Sequence, residues 1–118
     1  MDRIRFIMHR EQRILLLDFT DCAADEVAAT ADRVPETVTQ EPLNSVVLLA
    51  DFSRAQFTRE SVERVKIAAV FDRPHVKRSA WVLTENLPRA LYDSIRSFSR
   101  REIPIFATRE EALEYLVS

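Results

Sequence analysis

The hydrophobic positions at the start of the chain predict two strands joined by a short turn. Ile4, Phe6 and Met8 follow the two-residue period of a strand that buries one face. The polar residues 9–12 predict a tight turn, and the unbroken apolar run 14–17 is typical of a central strand covered on both faces. We therefore expect an antiparallel hairpin whose first strand lies near the edge of a sheet.

A helical period follows this hairpin. Apolar residues recur at i, i+4, i+7 and i+11 from Val27, which predicts an amphipathic helix that begins near Ala23. Pro35 lies off the apolar face, but it lacks the amide hydrogen that would bond to residue 31. We expect the helix to kink or to end early there.

The middle of the chain predicts a buried strand, a loop and a second helix. The apolar run 46–50 ends at Asp51, and Thr58 is well placed to cap a helix whose inner face runs from Val62 toward Phe71. Ligands and partners of open α/β sheets usually bind at the carboxyl ends of central strands. This loop and helix start are therefore the first place to look for a site.

The rest of the chain predicts two more strands and two more helices. Residues 76–84 form the fourth strand, Pro88 opens the third helix, residues 103–106 form a short edge strand, and Thr108 caps the fourth helix. The predicted order is ββαβαβαβα, with no apparent internal repeat. We expect a single α/β domain over residues 1–118, in which a mixed, mostly parallel five-stranded sheet packs with four helices.

The composition excludes several classes of site. The chain of 118 residues contains no glycine, whereas phosphate-binding loops, dinucleotide-binding turns and hydrolase nucleophile elbows all require it. His9 and His75 are the only histidines, and neither has a nucleophile at a signature spacing. Asp18, Asp21 and Asp25 lack the ligand ladder and turn glycine of a calcium loop. We therefore predict no enzyme activity, no metal and no cofactor.

The predicted compartment is the cytoplasm. Cys22 is the single cysteine, so an intrachain disulfide cannot form, and a free thiol fits a reducing environment. The first residues do not resemble a signal peptide, and no apolar run approaches the roughly 20 residues of a transmembrane helix.

Charge is distributed unevenly along the chain. The net charge is −2, yet residues 54–101 contain 11 basic against 5 acidic residues. Such asymmetry indicates either a basic binding face or ordinary solvated surface. An acidic protein or an anionic membrane would fit a basic face, whereas the pI of about 5.7 argues against nucleic acid. The candidate basic surface consists of Lys77, Arg78, Arg89, Arg96, Arg100 and Arg101.

Four segments, together with the predicted order of elements, resemble the bacterial SpoIIAA-like group of STAS/SEC14-type domains. They are residues 49–52 (LADF), 76–82 (VKRSAWV), 89–93 (RALYD) and 103–113 (IPIFATREEAL). The resemblance implies a small mixed sheet packed with helices, no cofactor, and binding rather than catalysis. STAS-type relatives bind a kinase or an anti-sigma factor, and SEC14-type relatives hold lipids.

The resemblance also implies a phosphorylation switch at the start of the helix after the third strand. Ser61 falls near the family's acceptor serine, but Arg59, Glu60 and Val62 depart from the Asp-Ser-Ser-Gly context. Ser61 is therefore a candidate phosphoacceptor. Phosphate on Thr58 or Ser61 would also be favoured by the positive end of the helix. The alternative is that Thr58 is only a cap and Ser61 an ordinary residue of the first turn.

Two functions remain open. The first is a non-enzymatic STAS-type module whose protein partner contacts the end of the third strand and the following helix start. The second is binding of a lipid or another hydrophobic ligand in the groove between the second and third predicted helices, or peripheral association with a membrane. A homodimer is compatible with either. The predicted partner-binding residues are Asp51, Phe52, Ser53, Arg54 and Thr58.

Overall fold

The computed structural model describes residues 2–83, 92–93, 97 and 103–118. Within these ranges the chain forms a five-stranded sheet with three α-helices and one 3₁₀ helix. The strands are β1 (Ile4–His9), β2 (Gln12–Asp18), β3 (Val46–Asp51), β4 (Val76–Val82) and β5 (Ile105–Phe106). The helices are α1 (Ala24–Val38), α2 (Arg59–Asp72), the 3₁₀ helix Arg73–His75 and α3 (Arg109–Val117).

The sheet has the order β1-β2-β3-β4-β5, so both predicted edge strands lie at its edges. The predicted antiparallel hairpin is confirmed, with Ile4 opposite Leu17 and His9 opposite Gln12. The pairs β2-β3, β3-β4 and β4-β5 are parallel, as predicted for strands joined by crossovers. The sheet is therefore mixed and mostly parallel.

Helices cover both faces of the sheet. We call the face under α1 and α2 the front face and the face under α3 the back face. Successive crossovers of the same handedness place their helices on the same side of the sheet when each adds its strand in the same direction. This explains why α1 and α2 pack together. The helix α3 follows the edge strand β5 and closes the back face with Ala112 and Leu116.

Aromatic side chains fill the front core. Phe52 stacks on Phe19 with ring centroids 4.6 Å apart, and Trp81 lies edge-on at 5.0 Å from Phe52. Tyr92 continues the cluster at 5.9 Å from Trp81, and its hydroxyl donates a hydrogen bond to the carbonyl of Ile103. The core is thus continuous from β2 to Tyr92.

Two predictions about helices have different outcomes. Of the kink or early end expected at Pro35, the early end is wrong, because α1 continues to Val38. The carbonyl of Pro35 accepts hydrogen bonds from the amide and the hydroxyl of Thr39, so the proline sits in the last turn. The third predicted helix, opened by Pro88, falls mainly outside the described residues, although Tyr92, Asp93 and Ser97 are helical.

No helix in the described ranges is long and apolar enough to cross a membrane.

The β1-β2 turn has a left-handed backbone without glycine. Arg10 and Glu11 have φ angles of 49° and 67°. A two-residue hairpin turn requires such positive angles to match the right-handed twist of its strands. A side chain in this region costs about 1 kcal/mol or more, because Cβ crowds the backbone. The hairpin is therefore closed at a conformational cost.

Substituting Glu11→Gly should stabilise the protein by about 0.5–1 kcal/mol, because relief of this crowding exceeds the added entropy of the unfolded chain. Urea denaturation would measure the change. The matched control is Glu36→Gly on the exposed side of α1, which should destabilise by about 1 kcal/mol. The same sign for both substitutions would contradict the explanation.

Candidate functional site

Two matched turns follow the neighbouring strands β2 and β3 at their carboxyl ends. Residues 18–21 read Asp-Phe-Thr-Asp and residues 51–54 read Asp-Phe-Ser-Arg. Asp18 lies directly opposite Asp51 in the parallel register. We call these two segments the paired turns. Their first two residues are identical, and a residue with a hydroxyl side chain follows in each.

Each of the paired turns is closed by its own aspartate. The Oδ1 atom of Asp18 accepts hydrogen bonds from the amide of Thr20 at 3.1 Å and from its hydroxyl at 2.5 Å. The Oδ1 atom of Asp51 accepts from the amide and the hydroxyl of Ser53 at 3.0 and 2.6 Å. An aspartate side chain that accepts a hydrogen bond from the amide two residues later commonly stabilises a turn.

The paired turns also bind each other. The amides of Phe19 and Asp21 donate to the carbonyls of Asp51 and Ser53, so backbone pairing extends beyond the strands. Asp21 and Arg54 both have left-handed backbones, with φ of 58° and 59°. Their side chains form an ion pair at 2.6 Å, which lowers the pKa of Asp21 below its ordinary value.

Arg109, in the first turn of α3, connects this end of the sheet to the back layer. Its Nε atom donates to Asp51 Oδ2 at 2.8 Å, and its guanidinium lies 3.6 Å from Asp18 Oδ1. Arg5 on β1 reaches Asp18 Oδ2 at 3.3 Å. Two nearly buried carboxylates are thereby neutralised by two partly exposed guanidinium groups.

Asp18 is held in its ionised form. Burial raises the pKa of Asp18, but the hydrogen bonds from Thr20 and the positive charges of Arg109 and Arg5 outweigh burial. The net effect is a pKa below the ordinary value of 3.8. The aspartate is therefore an acceptor of fixed hydrogen bonds rather than a proton donor at neutral pH.

The side chains of this region stabilise the structure by joining the ends of β2 and β3 to α3. Every carboxylate of the two strand ends already accepts from a hydroxyl, an amide or a guanidinium. The described residues contain no group of three or more His, Cys, Asp or Glu side chains arranged to hold a metal ion. His75 lies at the other end of β4, where its Nδ1 is 2.8 Å from the carbonyl of Glu41. Cys22 is buried, and burial raises the pKa of its thiol.

The predicted partner-binding residues divide between core and surface. Asp51 and Phe52 are buried, and Ser53 is half-buried with its hydroxyl bonded to Asp51. Arg54 and Thr58 are exposed. A partner that meets this end of the sheet would therefore contact Arg54 and Thr58, while the other three residues hold the loop in place.

Thr58 is the N-cap of α2, as predicted, and Ser61 completes a capping box with it. The amide of Ser61 donates to Thr58 Oγ1 at 3.2 Å, and the amide of Thr58 donates to Ser61 Oγ at 2.9 Å. Ser61 is fully buried, so a kinase would reach its hydroxyl only if the first turn of α2 opened. Phosphorylation of Ser61 stays a prediction.

The candidate basic surface is described only in part. Lys77 on β4 is exposed. Arg78 is half-buried, with its guanidinium 4.4 Å from the ring centroid of Tyr115 and 2.9 Å from the carbonyl of Ser118. Arg78 therefore helps to dock α3. Arg89, Arg96, Arg100 and Arg101 lie outside the described residues.

A surface that sequence reasoning missed lies on the outer side of α2. Phe71 is 60% exposed, Ile67 43% and Val70 41%. The expected inner face from Val62 is confirmed, but Phe71 does not belong to it. The sequence contains a signal for this surface, because the apolar residues 67, 70 and 71 follow the i, i+3, i+4 spacing of a second helical stripe. We call these three residues the α2 patch.

The α2 patch borders a surface groove between α1 and α2. The groove has a volume of about 240 Å³, and its lining includes the ion pair between Arg64 and Asp32, which are 3.2 Å apart. Its walls are mostly apolar. The lining residues are Ala31, Asp32, Pro35, Arg64, Ile67, Ala68 and Phe71.

The interior between the sheet and these helices is closely packed. The cavity there is about 30 Å³, roughly the volume of one water molecule. An acyl chain would therefore require α1 and α2 to separate from the sheet. The ligand groove that we predicted between the second and third helices lies partly outside the described residues.

Comparisons with known proteins give no relatives. No protein-family model matches the chain, and no curated protein or solved structure matches it.

The hydrogen-bonded ion pair between Asp51 and Arg109 should be measurable as a coupling free energy. In a double-mutant cycle with Asp51→Ala and Arg109→Ala, we expect a coupling of about 1–2 kcal/mol, because Asp51 is buried and hydrogen-bonded. The exposed pair Arg10 and Glu114 is the control and should couple by less than about 1 kcal/mol. Additive effects of Asp51→Ala and Arg109→Ala in urea denaturation would contradict this coupling.

The low pKa of Asp18 predicts acid sensitivity. A carboxyl whose folded pKa lies below its unfolded pKa stabilises the fold above about pH 4, and this stabilisation disappears as pH falls through the folded pKa. The Asp18→Asn variant should be less stable at pH 7 and should lose less stability than the wild type between pH 5 and pH 2.5. Parallel curves of unfolding free energy against pH would contradict this assignment.

Proposed function

We propose that the protein is a non-catalytic module of STAS type whose protein partner docks on the outer side of α2 and in the groove beside α1. The supporting observation is the α2 patch, where three large apolar side chains are exposed within two turns of one helix. Single exposed apolar residues are common on protein surfaces, but adjacent ones beside an apolar groove are typical of binding surfaces.

The surroundings of the α2 patch have the polar rim of a protein interface. Arg64 pairs with Asp32 and lies 3.8 Å from Glu60, and Lys66 lies 3.5 Å from Glu63. These ion pairs are already satisfied within the chain, so docking of a partner would not leave them unpaired. An exposed aromatic anchor inside such a rim is a frequent site of high binding energy.

The two exposed residues among the partner-binding residues proposed from the sequence, Arg54 and Thr58, lie near the start of the helix that has the α2 patch. Thr58 caps the amino-terminal end of α2, and Phe71 lies near its carboxyl-terminal end. The helix has 14 residues and is therefore about 21 Å long. One partner of ordinary size can cover both ends, with Arg54 and Thr58 at the margin of the interface.

The finer features of the proposal depend on the resemblance to STAS domains. They are a STAS-like arrangement with a helix opened by Pro88, a cytoplasmic location and a switch at Ser61. The capping box gives the switch a physical meaning, because phosphate on Ser61 would replace the hydroxyl that accepts from the amide of Thr58 and donates to its carbonyl. Phosphorylation would then alter the same helix that we propose as the interface.

The second candidate is binding of a hydrophobic ligand or of a membrane surface. The apolar groove beside Phe71 favours it, although its volume of about 240 Å³ is less than that of most small-molecule pockets. Native mass spectrometry would detect a retained ligand. Co-sedimentation with anionic and neutral liposomes would detect membrane binding, and the bare chain with no liposome binding would remove this candidate.

The interface can be tested with a photo-crosslinking amino acid. We expect a crosslinker in place of Phe71 to capture one protein in cells, which mass spectrometry would identify. A crosslinker in place of Leu43, which is 69% exposed in the loop before β3, is the matched control and should not capture it.

Substitutions would then test the energetics with the captured protein. Phe71→Ser should weaken its affinity at least about tenfold, because a buried aromatic anchor contributes 2 kcal/mol or more. Leu43→Ser should leave the affinity unchanged, and circular dichroism would verify that both variants fold. Equal affinity of wild type and Phe71→Ser would place the interface elsewhere.

A further inference from the structure

The outer edge of β1 is open among the residues that the structure describes. Within residues 2–83, 92–93, 97 and 103–118, the strand pairs only with β2, and it is the first strand of the sheet. Its six residues, Ile4–His9, pair with β2 in regular register, without a proline or a bulge. Such an edge exposes a row of backbone donors and acceptors that another strand can pair with.

The backbone groups that face outward can be assigned. The amide of Asp18 donates to the carbonyl of Arg3, so the odd-numbered residues of β1 pair with β2. Ile4, Phe6 and Met8 therefore point their amides and carbonyls away from the sheet. The amide of Ile4 agrees with this, because it donates to Asp2 Oδ1 at 3.1 Å.

We propose that β1 pairs antiparallel with β1 of a second copy of this chain, with Phe6 of one copy opposite Phe6 of the other. The two sheets then form one ten-stranded sheet about a twofold axis perpendicular to it. A twofold interface uses the same patch on both copies, so the patch must be complementary to itself. This surface is separate from the α2 patch.

The side chains of β1 meet this requirement in the proposed register. Ile4 lies opposite Met8 of the second copy. The outward groups form hydrogen-bonded pairs once the amide of Ile4 exchanges Asp2 Oδ1 for the carbonyl of Met8 in the second copy. Met8 is 66% exposed in the single chain and would be covered.

The charges of the hairpin favour a second copy over an acidic extended peptide. Each of its four arginines already faces a carboxylate of its own chain, so the edge is not a cationic strip that needs acidic residues. The pairs are Arg3 with Glu26 at 3.7 Å, Arg5 with Asp18 at 3.3 Å, Arg10 with Glu114 at 2.5 Å and Arg13 with Glu41 at 2.8 Å. Two such neutralised edges can approach without strong repulsion.

Sedimentation equilibrium of the purified chain tests the proposal. We expect a concentration-dependent monomer and dimer, and at least a tenfold increase in the dissociation constant for Met8→Lys, because lysine on an edge strand opposes pairing. Leu43→Lys introduces the same charge at an exposed apolar residue away from β1 and should leave the constant unchanged. A wild-type chain that stays monomeric up to about 1 mM would overturn the proposal.

Disulfide trapping tests the register. In the proposed pairing, Arg5 lies opposite Ile7 of the second copy in a non-hydrogen-bonded pair, with Cα atoms about 4.5 Å apart, which is within the range of a disulfide. A mixture of Arg5→Cys and Ile7→Cys chains should form a mixed dimer under mild oxidation. Each variant alone should not, because its cysteines would be roughly 8 Å apart. A dimer without the mixed disulfide would show that another surface associates.

Discussion

The parallel pairing of β2 with β3 is the contact on which the rest of the structure depends. It places Asp18 beside Asp51 and then continues through the paired turns by backbone hydrogen bonds. The same register stacks Phe19 on Phe52 on the front face and directs both carboxylates to the back face, where Arg109 binds them. One pairing thus orders the aromatic core, the loop before α2 and the first turn of α3.

The sequence was most informative where the pattern was local. The two-residue period of β1, the apolar run in β2 and the cap at Thr58 each depend on near neighbours. The structure has both strands and the cap, although Met8 on the expected buried face of β1 is 66% exposed. The edge positions of β1 and β5 and the parallel pairing of strands joined by crossovers were also predicted correctly. Pro35 was misjudged because a proline close to the end of a helix removes one hydrogen bond without forcing the chain to leave the helix.

The site was harder to predict, because exposure is a property of the packed chain. Asp51 and Phe52 follow a central strand, as binding residues often do, but the paired turns use both of them internally. Phe71 continues the apolar pattern of α2. Its exposure follows from how α1 and α2 pack together, which the sequence pattern does not give. The candidate interface therefore lies on the outer side of α2 rather than in the loop after β3, where we expected it from the sequence.

The absence of glycine gives the paired turns a property that most turns lack. In many proteins the left-handed position of a turn is glycine, which can serve the backbone but has no side chain with which to bind anything. Here Asp21 and Arg54 occupy both left-handed positions, so the two residues that bend the chain also join the turns to each other. A mutation to glycine at either position would relax the backbone and remove the ion pair together.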